Sequence, residues 1–249
     1  MAGHSHWAKI KRAKGANDAK RGREWSKLAR RIIVAAKGGG GNPDENLSLR
    51  YAIDDAKAAN MPKDTITNAI KKGAGGLDAD SYEAVLYEGY GPGGVAFMVD
   101  CLTNSRTRTA PEMRKIFERG NGQLGVTGSV AWMFDQKGLF TVAADAATED
   151  KLMEVALDAE AEDVRNDGDS FEVSCAPANF HKVKQALAAA NIATLSAAIS
   201  MIPKNTIAVE GEAATKIVRL METLEDHEDV QNVYANFDIS EETMKSATI

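Results

Sequence analysis

The chain has 249 residues, 44% of them hydrophobic, with a formal net charge of −6 and a sequence pI near 5.4. That length suggests two or three domains with ordinary buried cores. No apolar run approaches the ~20 residues needed to span a bilayer, and no signal peptide is visible, so a cytoplasmic protein without membrane contact is expected. Cys101 and Cys175 are far apart and outside any C-x-x-C pair, which reads as two reduced thiols.

The net charge conceals a strong polarity along the chain. Residues 1–72 carry sixteen Lys or Arg against seven Asp or Glu; the remainder carries fourteen against twenty-nine. Residues 1–16 alternate small, basic and glycine residues and read as an extended arm. A helix is expected from about Asp18, with Trp25, Leu28, Ala29, Ile32, Ile33 and Ala36 forming one apolar stripe. Lys20, Arg23, Lys27, Arg30 and Arg31 fall largely elsewhere on the wheel. The Gly38–Gly41 run ends that helix. Asn42-Pro43-Asp44-Glu45 reads as the start of a second helix, with Leu49, Ala52, Ile53 and Ala56 on its apolar face. Asn60-Met61-Pro62 breaks it, and a third short helix carries Ile66, Ala69 and Ile70.

After residue 80 the period changes. YEAVLYE and GVAFMVDCL read as strands joined by the turn-forming GYGPGG. Thr109-Ala110-Pro111-Glu112 has capping-box spacing and predicts a helix bearing Met113, Ile116 and Phe117. SVAWMF is expected as a strand. Residues 138–202 then read β-α-β-β-α-β, the ferredoxin-like order. TIAV, a helix with Ile217, Leu220, Met221 and Leu224, and a strand near VQNVYANF are expected to complete the sheet begun at residues 82–135. The fold expected is therefore α+β and multidomain. A basic arm and three-helix domain occupy 1–79, a discontinuous middle domain 80–136 and 204–249, and a ferredoxin-like insertion 137–203.

The basic arm is the sharpest functional signal. Clustered Lys and Arg bind a phosphate backbone by releasing condensed counterions. The candidate contacts are Lys9, Lys11, Arg12, Lys14, Lys20, Arg21, Arg23, Lys27 and Arg30. Trp7 is placed to stack on a base, and His4 and His6 to hydrogen-bond phosphates or 2′-hydroxyls. The alternative is a solvated basic tail. Arg106 and Arg108, read as lying just before the helix at Thr109, suit an anion or pairing with surface acids; Arg114, Lys115 and Arg119 could extend a second basic patch. GYGPGG lacks the Gly-Lys-Ser/Thr ending of a P-loop and reads as a structural turn. LEDHEDVQN reads as a polar connection with solvated carboxylates. Four histidines do not compose a structural zinc site. With Met1 removed, Ala2-Gly3-His4 offers four nitrogens suited to adventitious Cu(II) or Ni(II). No G-x-S-x-G, H-E-x-x-H or P-loop appears, so neither a catalytic site nor a cofactor nor an obligate small molecule is expected.

GHSHWAKIKRAKGANDAKRGREWSKLARRI, NMPKDTITNAIKKG, YEGYGPGGVA, LTNSRTRTAPEMRKIF, GQLGVTGSVAWMF and DVQNVYANF resemble the YebC family, whose mitochondrial relatives include the translational activator of cytochrome c oxidase. His6 stands where the family usually has Lys. The resemblance implies a helical domain followed by two α+β domains, the last inserted in the second, and no known catalytic activity. The family is labelled as probable transcriptional regulators that bind DNA, and its members are also linked to translation at the ribosome. The expected partner is therefore DNA or ribosomal RNA. No clear recognition helix of a helix-turn-helix and no dimer seam is visible, so a monomer is expected.

Overall fold

A computed structural model describes residues 18–75 and 82–240, with side chains from residue 21. Among these residues the chain forms two compact units, one over residues 132–206 and one from the chain on either side of it. The architecture is α+β and multidomain, with N-terminal helices followed by sheet-containing regions.

In the larger unit, α1 (Asp18–Gly39), α2 (Leu47–Ala58) and α3 (Lys63–Ala74) pack around one core. Leu28, Ile32, Ile33 and Ala36 of α1 meet Leu49, Ala52, Ile53, Ala56, Ile66 and Ala69. Half-buried Trp25 joins this core and donates from Nε1 to the Ala59 carbonyl at 3.0 Å. A Cβ on Gly73 would lie 2.5 Å from the Ile33 carbonyl oxygen and 2.7 Å from Ala36 Cβ. The α1–α3 approach therefore needs glycine there. The second helix starts later than its sequence suggests. Asn42–Glu45 is a turn, and Asn46 is the cap, its Oδ1 accepting from Leu49 N at 3.0 Å. Its Nδ2 also donates to the Ala35 and Gly40 carbonyls. One buried amide thus closes α1 and opens α2, which Asn42 at the surface could not do.

The same unit holds a four-stranded sheet ordered β3-β1-β2-β9. Its members are β1 (Glu83–Tyr90), β2 (Ala96–Thr103), β3 (Gln123–Leu124) and β9 (Val230–Ala235). α4 (Arg106–Arg119) and α7 (Gly211–Asp226) share its core, with Phe97, Met113, Phe117, Ile217 and Leu220. Gly93 and Gly94, at φ of 70° and 77°, turn β1 into β2. β9 completes the sheet as expected, but β8 (Ile207–Ala208) and β10 (Phe237–Asp238) form a separate parallel pair. Asn236 divides β9 from β10, its Oδ1 accepting from Ala96 N at 2.7 Å.

Two expectations need correction here. α4 begins at Arg106, not near Thr109, so Arg106 and Arg108 lie in its first turn. Thr109 is buried inside the helix, bonded to the Ser105 carbonyl and to Thr103 Oγ1, and Pro111 is accommodated a turn further on. SVAWMF is not a strand: Ala131–Met133 is a short 3-10 turn leading to β4 (Phe134–Ala143).

In the unit of residues 132–206, β4 is followed by α5 (Glu149–Asp158), β5 (Ala161–Asn166), β6 (Ser170–Cys175), α6 (Phe180–Ala189) and β7 (Thr194–Pro203). The sheet order is β5-β6-β4-β7, antiparallel throughout. Phe140 stacks on Phe180 of α6 at 4.8 Å between ring centroids.

Candidate nucleic-acid interface

His4, His6, Trp7, Lys9, Lys11, Arg12 and Lys14, with the Lys20 side chain and the Ala2-Gly3-His4 group, lie outside the described residues. The structure does place the cations of α1 from Arg21 onward, and several of them face acids. Arg23 lies 3.4 Å from Asp226. The Lys27 ammonium donates to the Glu225 carbonyl. Arg30 donates to Asp229 Oδ1 at 2.7 Å and Glu228 Oε2 at 3.0 Å, and stacks over Tyr82 at 5.5 Å. Arg31 pairs with Asp55 at 2.8 Å. The stripe of α1 that a phosphate backbone would track is partly occupied by the connection between α7 and β9.

The centre of that contact is Asp229. It has no solvent exposure. Oδ1 takes Arg30; Oδ2 takes Arg108 at 2.7 Å and the Thr109 hydroxyl at 2.8 Å. Burial pushes this carboxyl up, but the Arg108 and Thr109 hydrogen bonds and the Arg108 and Arg30 charges outweigh it and hold the group below its ordinary range. Its backbone is fixed as well: Asp229 N donates to His227 Nδ1 at 3.1 Å, and its carbonyl accepts from Leu102 N at 2.8 Å. With Nδ1 accepting, the His227 proton is assigned to Nε2, which faces Glu112 Oε2 at 3.1 Å. The reading of LEDHEDVQN as wholly solvated is thus overturned at Asp229. Three segments remote in sequence meet on one carboxylate.

Arg106 is exposed and 3.8 Å from Glu83, and Arg108 turns inward to Asp229. Of the anion-binding pair expected from sequence, one member is therefore engaged in architecture. Arg114, Lys115 and Arg119 on the outer face of α4, with Lys63 and Lys71 on α3, are exposed and pair with no acid among the described residues. A second buried carboxylate, Glu88, organises the loop before β4. It accepts from Gly128 N at 2.6 Å, Val130 N at 2.7 Å and Ala131 N at 2.8 Å. Burial raises its pKa, but these three donors prevail and the group ends below its ordinary value. Glu88 and Asp229 were not singled out from sequence. The one local hint for Glu88 is a charge in the middle of the run Val85–Tyr90, which is otherwise uncharged. Among the described residues no His, Cys, Asp and Glu cluster could hold a metal ion, and no helix is long and apolar enough to cross a membrane.

Two family models cover nearly all of this structure. The model described as the TACO1/YebC protein N-terminal domain matches residues 5–76, and that of the TACO1/YebC second and third domain matches residues 82–237. The chain belongs to the TACO1/YebC family. Among its curated relatives, a protein of Desulfotalea psychrophila named a probable transcriptional regulatory protein is 53% identical over 98% of each chain. A Geobacter sulfurreducens protein of the same description is 51% identical over 98% of this chain and 99% of its own. The crystal structure of a conserved hypothetical protein from Aquifex aeolicus superposes with a TM-score of 0.81, at 43% identity, over 90% of this chain and 92% of that one. The TACO1/YebC match takes in α1, the Asp229 contact and the Glu88 loop.

Proposed function

We propose that this chain is a non-catalytic regulator of gene expression that binds nucleic acid through its basic N-terminal arm, assisted by the α1 cations. The observation that carries this reading is the confinement of positive charge: sixteen Lys or Arg lie within residues 1–72 of an otherwise acidic chain. Such a distribution attracts a polyanion to one end and repels it from the rest. The relatives named probable transcriptional regulatory proteins support DNA as the polymer. A second reading, a ribosome-associated translation factor, is favoured by the arm's mixture of Trp7 with Lys and Arg, which suits irregular RNA. Cytoplasmic residence goes with either reading.

The domain plan proposed with it is an arm and helical domain over 1–79, a middle domain over 80–136 and 204–249, and an inserted ferredoxin-like domain over 137–203. The β5-β6-β4-β7 order supports the last. Fragment 137–203 is expected to unfold cooperatively on its own; a disordered NMR spectrum would remove that boundary.

Deletion of residues 1–16 tests the function. Affinity should fall sharply, and loss of about four phosphate contacts should reduce the slope of log K against log salt by roughly 3 to 4. Trp7→Ala should cost about 1–3 kcal/mol while leaving that slope nearly intact. Competition between duplex promoter DNA and structured ribosomal RNA at one salt concentration, with co-sedimentation on ribosomes, separates the two polymers. Equal affinity and slope for full-length and truncated protein on both would reduce the arm to a solvated tail.

A further inference from the structure

The sheet region of the larger unit, residues 82–131 and 207–240, holds more acids than cations. A partner is within supply for every cation, and three have one: Arg106 lies by Glu83, Arg108 by Asp229 and Lys216 by Glu212. The other four differ. Arg114, Lys115, Arg119 and Arg219 are exposed and carry no ion pair among the described residues. They are not scattered. The first three share the outer face of α4, and the fourth joins them through a helix contact. A Cβ on Gly120, the residue after Arg119, would lie 2.8 Å from Cδ1 of Leu220, the residue after Arg219. Both arginines therefore flank the place where the end of α4 meets α7. Glu118 on the same turn is exposed and pairs with none of them among the described residues, so the patch keeps a positive surplus.

The surface beside these cations is poor in side chains. The turn between β1 and β2 reaches the same leucine, because a Cβ on Gly91 would lie 3.4 Å from Leu220 Cδ2. Packing requires glycine at Gly91 and Gly122, where a Cβ would come within 2.5 Å of the Phe97 ring and of the Tyr90 carbonyl oxygen. Gly93 and Gly94 are exposed at φ of 70° and 77°, with nothing within 4 Å of a Cβ. The turn is structural, as its sequence suggests, and it leaves backbone uncovered next to the end of α4. Glycine allows another backbone to approach closely. A sugar–phosphate chain offers repeated charge and no side chain to fill a pocket, and it is held by Lys, Arg and backbone N–H groups. A flat cationic surface bordered by bare backbone matches that chemistry.

We infer that the outer face of α4, with Arg219 of α7, is a second nucleic-acid contact that grips the sugar–phosphate backbone of the polymer bound by the arm. This rests on the nucleic-acid reading and adds to it a site on the sheet region. Fluorescence anisotropy on the full-length chain tests it, with a labelled random-sequence DNA duplex and a labelled ribosomal RNA hairpin as probes over a salt series. Arg114→Gln/Lys115→Gln/Arg119→Gln should keep the wild-type thermal melt and weaken binding about tenfold or more. Loss of about three phosphate contacts should lower the salt slope by roughly 2 to 3. The charge-preserving Arg114→Lys/Arg119→Lys should keep the wild-type slope. Asn121→Asp adds a carboxylate just past α4, at a φ of 57° that Asp tolerates, and should weaken binding severalfold. Lys151→Gln, which removes an exposed cation of the other unit, should change neither affinity nor slope. Deletion of residues 1–16 should leave a salt-dependent remainder that the triple variant abolishes. A triple variant equal to wild type in affinity and slope, while the arm deletion still weakens binding, would overturn this inference and leave the nucleic-acid reading standing. An effect of Lys151→Gln as large as that of Arg119→Gln would overturn it too, by reducing the patch to general charge. A wild type that binds neither probe would remove both readings.

Discussion

Asp229 and Glu88 are both carboxylates taken out of water, and the molecule keeps each of them charged by a different means. Asp229 is held by two guanidinium groups and a hydroxyl that arrive from α1 and α4. Glu88 is held by three backbone N–H groups from one short loop. The first arrangement joins elements separated by more than a hundred residues; the second shapes a turn some forty residues away. A side-chain cation can reach across a fold, whereas amides can only gather where the backbone already turns. The difference separates a clasp between the helices and the sheet from a local loop anchor, and the two should fail differently.

The clasp should fail with the larger effect. Asp229→Ala leaves Arg30, whose side chain is only 14% exposed, facing a void in place of its carboxylate. Breaking a buried pair by removing one partner costs about 3–5 kcal/mol, and urea denaturation should show a loss of that order. Arg30→Ala and Arg108→Ala should be non-additive in a double-mutant cycle, because both act on one carboxylate. Additive losses would mean that the two arginines serve separate contacts.

Glu88→Gln should cost less, about 1–3 kcal/mol, since the amide can still accept from part of the donor set. The loss should be local. Hydrogen exchange should accelerate at Gly128, Val130 and Ala131 and stay slow in α1, where the core of Ile32 and Ala36 is untouched. Equal acceleration in α1 would show that the loop anchor is coupled to the clasp.

Acid distinguishes the two again. Both carboxyls titrate below their ordinary values of 3.8 for Asp229 and 4.5 for Glu88. At a pH between the folded and unfolded pKa the unfolded chain binds more protons, so stability falls as pH falls. Each contribution is complete above the unfolded value and gone below the folded one. Each group adds at most about 1.4 kcal/mol per pH unit to the slope there. Glu88→Gln should therefore flatten the acid limb below about pH 4.5. Asp229→Asn should flatten it at slightly lower pH, with a larger drop of the neutral plateau. Asp100 and Glu172 run the other way, because burial raises them, and they oppose the acid loss without cancelling these differences between variants.

The stripe of α1 and the order of most strands and helices were legible because each is written in neighbouring residues, whereas the cap of α2 was read at Asn42 and lies at Asn46, whose amide also binds the Ala35 and Gly40 carbonyls. Leu28, Ile32 and Ala36 declare their face within three turns. Where the structure departs, a remote partner decides. Thr109 looks like a cap from its capping-box spacing, yet it lies inside α4 because its hydroxyl serves Asp229, and Ser105 takes the cap position instead. Asp229 sits among Glu225, Asp226 and Glu228 with nothing local to set it apart. Only the folded chain shows which of the four is buried. The two-residue strands β3, β8 and β10 carry too few side chains for any period to register.

The smallest expected effect is the most informative about function. Arg23 and Arg30 are two turns apart on α1, both were read from sequence as phosphate contacts, and both meet acids of the same connection. Their surroundings differ. Arg23 and Asp226 are about half exposed at 3.4 Å, where an ion pair is screened and contributes about 0–1 kcal/mol. Arg30 is nearly enclosed against a carboxylate with no exposure. Arg23→Ala should therefore change the unfolding free energy by no more than about 0.5 kcal/mol. A solvent-screened contact also yields readily to a competing phosphate. If Arg23 reaches nucleic acid, the same variant should lower the salt slope of binding by about 1. Arg30→Ala should reverse the pattern, with a clear loss of stability and a slope at neutral pH that is unchanged once the protein is folded. Measuring both properties on both variants assigns each cation to architecture or to binding. A stability loss for Arg23→Ala as large as that for Arg30→Ala would make the whole α1 stripe part of the clasp and leave the arm to bind alone.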